Sequence, residues 1–289
     1  MNKSGINMKR RWGMVIDLDK CTGCGNCAVA CSQENNMPIF EDDSDVAKRV
    51  TFLDIMRVTN DRDAKYPNVK TAFVPKMCQQ CEGNDPKNPE PPCVSVCLAS
   101  ATDVGDDGVV SQIWSRCVGC RYCQVACPYE ARVFHWWKPK YEGSFKKSLN
   151  PDISIASRGT VVKCTFCSHI WKQERDRQVQ KGNLDINAVT YKTACQVNCP
   201  TGAISFGDLN DEKSDLHKMI YKKKGVLNPR AVRIAHEIDD RKPADQAKLK
   251  KMKHFANPKV FYLTSQQWLK DMMRFPKAIA PVKKQEGNK

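Results

Sequence analysis

All sixteen cysteines of this 289-residue chain fall into four groups of four. The first, "CTGCGNCAVAC", holds Cys21, Cys24, Cys27 and Cys31. The third, "CVGCRYCQVACP", repeats that spacing with Cys117, Cys120, Cys123 and Cys127. The second (Cys78, Cys81, Cys93, Cys97) and the fourth (Cys164, Cys167, Cys195, Cys199) stretch the middle gap. Groups one and three also share "GC" before the second cysteine and "VAC" at the fourth, which marks an internal repeat. A chain that gathers its thiols this way must fold around whatever they bind.

Three chemistries use cysteine at such density: a disulfide framework, zinc sites and iron–sulfur ligation. Disulfide scaffolds belong to short secreted chains, and repeated C-x2-C steps would close strained local loops. This chain is long enough to bury a core without them. Four-cysteine zinc sites do use C-x2-C knuckles, but a third cysteine three residues on is surplus to one tetrahedral ion. Three cysteines at i, i+3 and i+6 on a curling loop suit a cubane. In bacterial ferredoxins the last cysteine of C-x2-C-x2-C-x3-C serves a second cluster. Four groups of three plus one then make four complete sets. Iron–sulfur ligation is the expectation, and a zinc-bearing, basic nucleic-acid module is the rival from a different class.

The pattern resembles the four-cluster ferredoxin-like subunit of the complex iron–sulfur molybdoenzyme family. It is most like the branch that serves alternative complex III and the menaquinone-reducing quinone reductase complex. "WGMVIDLDKCTGC", "ACPYEARVFHWW", "LNPDISIASRGTVVKCTFCSH" and "ISFGDLND" carry the likeness, which spans about residues 12–210. The resemblance implies that groups one and four are interleaved, and so are two and three. One cluster would take Cys21, Cys24, Cys27 and Cys199, and its neighbour Cys164, Cys167, Cys195 and Cys31. A third would take Cys78, Cys81, Cys93 and Cys127, and the fourth Cys117, Cys120, Cys123 and Cys97. Four [4Fe-4S] clusters follow, with a [3Fe-4S] site as the product of iron loss from one. The family's "CP" signature holds at Cys127-Pro128 and Cys199-Pro200, but Ser32 and Leu98 follow the other two fourth cysteines.

The fold class expected is α+β: two interleaved bacterial-ferredoxin-like, double-cubane modules with a basic C-terminal extension. Residues 12–60 plus 160–210 would form the outer module and 70–135 the inner one. Residues 136–159 would be a connecting excursion and 211–289 the extension. "WGMVIDLDKC" alternates as a half-buried strand would. "TFLDIMRV", "DGVVSQIWSRC", "GTVVKC" and "AISFGDL" read as further strands, and the fourth cysteines are expected to start helices. "LNDEKSDLHKMIYKKKG" is predicted helical, with Leu216 and Ile220 on one face. "TSQQWLKDMMRFP" opens with Thr264 and Gln267 in capping-box spacing and gathers Trp268, Leu269, Met272 and Met273 on one side. That side is expected to pack on this chain or a partner.

The net charge is +15, and residues 211–289 hold 20 Lys+Arg against 9 Asp+Glu. These lysines lie between prolines and acids with no aromatic platform, so a solvated extension is expected rather than a nucleic-acid surface. The five histidines show no ligand spacing, and His169 and the Trp136-Trp137 pair read as structural residues packed in the fold. No apolar run is long enough to cross a bilayer. "MNKSGINMKRRWGMVIDLDKC" has twin arginines, but Asp17 and Asp19 interrupt before an apolar stretch, so no cleavable signal is read. No nucleophile elbow, P-loop or dinucleotide fingerprint is present. The expectation is therefore a non-catalytic electron-transfer subunit, exported with a partner and peripheral on the periplasmic face of the membrane. The resemblance implies a molybdopterin-oxidoreductase-like subunit or a multihaem cytochrome c at one end. At the other it implies a multispanning integral membrane quinone-binding subunit. The alternative within the family is a polysulfide/tetrathionate-reductase-like complex, drawing electrons from quinol.

Overall fold

The computed structural model describes residues 10–38, 49–61, 65–83, 90–105, 107–141, 143–182, 189–223, 226–234 and 256–274. The acidic "EDDSD" stretch, residues 84–89 of the turn "EGNDPKNPEPPC" and residues 235–255 and 275–289 of the basic tail lie outside the described residues.

Strand β1 (Trp12–Asp17) is the spine of a four-stranded sheet. It pairs antiparallel with β8 (Ile204–Asp208) and parallel with β12 (Val260–Leu263), and β11 (Ala231–Val232) closes the far side of β12. Side chains alternate across a strand. Met14 and Ile16 therefore share one face with Val260 and Tyr262 in the larger core. Val15 shares the other with Phe261, Leu263, Leu216 and Ile220. The expected half-buried strand is thus buried on both faces, because helix α6 (Asp215–Ile220) and β12 cover the side assigned to solvent. Each large apolar side chain so covered contributes about 1.5–3 kcal/mol.

The expectation of a solvated C-terminal extension fails for residues 256–263, whereas the expected packing of the Leu269 and Met273 side on this chain is seen. All four residues of β12 are buried, and helix α7 (Gln267–Arg274) inserts Leu269 and Met273 into the main core. The backbone before β12 also grips the second cysteine group. Glu82 N donates to Asn257 O, Gly83 N to Ala256 O, and Lys259 N to Gln79 O. Asp19, two residues before Cys21, accepts from Thr264 Oγ1 at 2.9 Å, Ser265 N at 2.8 Å and Arg230 Nη2 at 2.9 Å. Thr264 Oγ1 also accepts from Gln266 N, but Gln267 turns forward to Asp271 instead of completing a capping box.

Strands β2 (Leu53–Thr59) and β3 (Thr71–Met77) form a hairpin. Sequence pattern does not announce β3, since Pro75 breaks its alternation; the Pro75 carbonyl accepts the Tyr262 hydroxyl at 2.9 Å. Strands β4 (Thr102–Val104) and β5 (Val110–Gln112) pair between groups two and three. Strand β6 (Val133–Phe134) pairs with β7 (Val161–Val162), closing the excursion between them. Helix α6 stops at Ile220, earlier than expected, because the lysine run enters strand β9 (Tyr221–Lys223), paired with β10 (Val226–Leu227).

Candidate iron–sulfur centres

Each cysteine group is built by the same local geometry. The first two cysteines, three residues apart, sit on a loop whose residue before the second cysteine is left-handed: Gly23 (φ 73°), Gln80 (48°), Gly119 (74°) and Phe166 (55°). Glycine adopts that region freely; Gln80 and Phe166 are held there by burial. The third cysteine lies on a helix capped two residues earlier. The helices are α1 (Asn26–Glu34) with Cys27, α2 (Pro92–Ser95) with Cys93, α3 (Tyr122–Val125) with Cys123, and α5 (Ala194–Val197) with Cys195. The expectation that fourth cysteines start the helices is corrected. The third cysteine belongs to the first turn, and the fourth follows four residues later, where i and i+4 are neighbours on one side.

Helices α2, α3 and α5 end after one turn. The chain then turns through a left-handed residue three beyond the fourth cysteine: Ser100, Glu130 or Gly202. That turn aims the next N–H at sulfur, with Ala101 N 3.2 Å from Cys97 Sγ and Ala203 N 3.3 Å from Cys199 Sγ. Helix α1 instead runs on through Cys31 to Glu34. Proline at position 32 would break it, which accounts for Ser32. Cys31 Sγ there receives the Asn35 side chain at 3.6 Å.

These segments bring remote thiols together. Cys21, Cys24, Cys27 and Cys199 line one cavity, walled otherwise by groups such as Ile55, Pro75 and Pro200. Cys31, Cys164, Cys167 and Cys195 line a second, against Met14, Leu53, Met77 and Phe166. Cys81 lies among Cys78, Cys93 and Cys127, and Cys123 lies beside Cys93 and Cys117. Cys97 meets the backbone N–H groups of Thr102 and Ala101. Cys24 and Cys120 are the two exposed cysteines.

All sixteen thiols are free, so the disulfide reading falls. Burial, reinforced by Cys195, Cys21 and Cys199, pushes Cys27 up to about 12, and burial pushes Cys167 to the same value. Cys31, Cys81 and Cys164 are raised well above the usual thiol value, again by burial first and neighbouring thiols second. Crowded buried thiols cannot ionise together without cations among them. Among the described residues no three His, Cys, Asp or Glu side chains converge as around a single ion. The thiols stand round a shared apolar space, and this donor set fits an iron–sulfur cage better than one zinc ion at about 2.3 Å from each sulfur.

Sequence reasoning missed the polar joint between the second and fourth groups. Gln80 Nε2 donates to Cys164 O at 2.7 Å, and Gln80 Oε1 accepts from Val110 N at 2.7 Å. The buried Lys163 donates to the same Cys164 carbonyl at 2.9 Å. Only its place beside Cys164 in "VVKC" could have drawn attention to it. His169 Nε2 pairs with Glu34 at 2.6 Å, tying α4 (Ser168–Gln180) to the end of α1. Trp136 and Trp137 are not core residues: both are about half exposed, and the Arg121 guanidinium lies over the Trp136 ring at 4.6 Å. The aromatic core is elsewhere, where Trp12 stacks on Phe206 beside Tyr191 and Phe166.

Residues 12–33 and 110–133 each match a family described as "4Fe-4S binding domain". The chain is 39% identical over 266 residues to the menaquinone reductase iron-sulfur cluster-binding subunit of Nitratidesulfovibrio vulgaris, covering 91% of this chain and 92% of the relative. It belongs to the iron–sulfur subunits of the complex iron–sulfur molybdoenzyme family. Other members include the Hdr-like menaquinol oxidoreductase iron-sulfur subunit 1 of Archaeoglobus fulgidus, 35% identical over 74% of this chain and 77% of its own. A polysulfide reductase subunit of Wolinella succinogenes is 33% identical over 75% of this chain and 86% of its own. As a member of this family the chain is an electron-transfer subunit that binds 4Fe-4S clusters and is not itself the catalytic subunit. The zinc reading gives way to this membership.

Proposed function

We propose that this chain holds four [4Fe-4S] clusters in a row and relays electrons between a peripheral redox subunit and a membrane quinone subunit. The observation that carries the proposal is the meeting of remote segments: Cys199 with Cys21, Cys24 and Cys27, and Cys31 with Cys164, Cys167 and Cys195. By the same internal repeat, Cys78, Cys81, Cys93 and Cys127 hold the third cluster, and Cys117, Cys120, Cys123 and Cys97 the fourth. Each bound cluster supplies a one-electron couple, tuned by hydrogen bonds to sulfur, burial and nearby charge.

The protein's own residues supply the rest. Left-handed loop residues wrap each cluster site, N–H groups of Ala101 and Ala203 brace the outlying thiols, and the Gln80–Lys163 joint fixes the distance between the two modules. The exposed Cys24 and Cys120 are the natural points where electrons enter and leave. Exposed apolar side chains surround Cys120, namely Val118, Tyr122 and Val125, and Val29 lies near Cys24. Such patches suit subunit contacts.

The relative named as a menaquinone reductase subunit supports a complex in which electrons reach menaquinone; we assign their supply to a cytochrome c or a molybdopterin-type subunit. The relatives named for polysulfide and tetrathionate reductases support flow the other way, from quinol to a terminal acceptor. No described helix is long and apolar enough to cross a membrane. We place the chain on the periplasmic face, bound to an integral partner. Anaerobic purification with its partners, followed by iron, sulfide and zinc assays, tests the reading. A brown protein with about sixteen irons per chain is expected; a colourless one with zinc and no sulfide overturns it.

A further inference from the structure

Arg132 is buried, at 3 % exposure, where the inner two cluster sites meet. Its Nη1 donates to Gln112 Oε1 at 2.7 Å and to Thr102 Oγ1 at 3.2 Å, and the guanidinium also hydrogen-bonds toward the thiols of Cys93 and Cys123. The guanidinium lies against Cys93 and Cys123 and close to Cys78. A guanidinium stays protonated in proteins, and a buried charge is costly unless an opposite charge stands near it. Gln112 and Thr102 are neutral, so compensation must come from the sulfur side. Four thiolates around a [4Fe-4S] core leave a net negative charge there, which grows by one on reduction.

The internal repeat shows what is special about this position. Five residues beyond each fourth cysteine stand Asn36, Thr102, Arg132 and Ile204. In the inner pair, Thr102 and Arg132 bond to each other between the two sites. In the outer pair, Asn36 turns away to the carbonyls of Asn150 and Ile153, and Ile204 pairs with Ile16 in the sheet. Cys27 and Cys195 thus face each other without a cation from either position. Among the described residues the buried lysines each touch one site, Lys163 through Cys164 O and Lys259 beside Cys81.

We propose that Arg132 is the electrostatic tuning residue of the inner pair, its buried charge raising the reduction potentials of both clusters bound through Cys93 and Cys123. This rests on the four-cluster assignment above. Each cluster gains one electron from its neighbour and passes it on, and no bond to Arg132 forms or breaks. A cation beside both sites favours the reduced form of each, so electrons collect on the inner pair.

The experiment is a redox titration of the intact complex followed by electron paramagnetic resonance. Arg132→Gln is expected to lower two of the four midpoint potentials and leave the other two in place, with iron and sulfide unchanged. Arg132→Lys, which keeps the charge, should restore them. Unchanged midpoints in a fully loaded Arg132→Gln protein, or an equal shift in all four, would overturn the proposal. If Arg132→Gln loses its clusters, Gln112→Glu places a carboxylate against Nη1 and must lower the same two potentials; no shift there also overturns it. Unmutated protein lacking iron and sulfide would instead refute the four-cluster reading.

Discussion

Cys27 and Cys31 stand four residues apart on helix α1, yet their thiols line different cavities, Cys27 with Cys199 and Cys31 with Cys164 and Cys195. One turn of helix therefore joins two cysteine-lined cavities and, through them, distant parts of the chain. Cys31→Ser is expected to remove the signal of the cluster built on Cys164, Cys167 and Cys195, while Cys27→Ser removes that of Cys21, Cys24 and Cys199. Each variant should lose about four of about sixteen irons. Iron assay and paramagnetic resonance check this; loss of the same cluster in both variants would refute the crossed arrangement.

Gly119 and Gly25 are both left-handed but differ in their surroundings. A Cβ on Gly119 would strike the Gly159 carbonyl, whereas one on Gly25 meets nothing within 4 Å. Gly25→Ala should cost only the conformational penalty, about 1–2 kcal/mol. Gly119→Ala should cost more and weaken the cluster proposed for Cys117 and Cys120. Chemical denaturation of the two holoproteins, side by side, decides it.

Leu269 on α7 is fully buried in the main core. Leu269→Ala is expected to destabilise by about 2–5 kcal/mol. A residue on a solvated tail would change stability by no more than about 0.5 kcal/mol, so one denaturation curve separates the two.

Burial opposes ionisation of Asp19, but hydrogen bonds from Ser265, Thr264 and Arg230 outweigh it and hold its carboxyl below the usual 3.8. A depressed folded pKa stabilises the protein above the unfolded value and loses that effect as pH falls through the folded one. Asp19→Asn should therefore be less stable than the unmutated protein at pH 7, with the gap narrowing below about pH 4. Urea melts across that range measure it, and a gap independent of pH would show that the carboxylate charge is not what binds the C-terminal segment.

Much of the cluster chemistry was legible because it is local. C-x2-C loops with Gly23 and Gly119, the x3 step to each fourth cysteine, and strands such as "WGMVID" and "ISFGD" are set by neighbours in sequence. Helix starts were misplaced because a cap two residues before the third cysteine has no single residue signature: Gly25, Pro91, Arg121 and Thr193 all serve. Strand β3 was missed because Pro75 interrupts its alternation. Trp136 reads as core from its size alone, and its exposure depends on where the excursion folds back.

The sequence alone determined how the cysteines are grouped, because C-x2-C spacing is a short-range property of the chain. Tertiary structure alone decided where charge stands around them. A basic tail read as solvated supplies β12, which runs beside the first strand and buries its second face. An arginine whose neighbours in sequence do not show which thiols it will meet lies against Cys93 and Cys123. Both depend on contacts across long stretches of chain, and local composition carries no record of which distant surface a segment will cover.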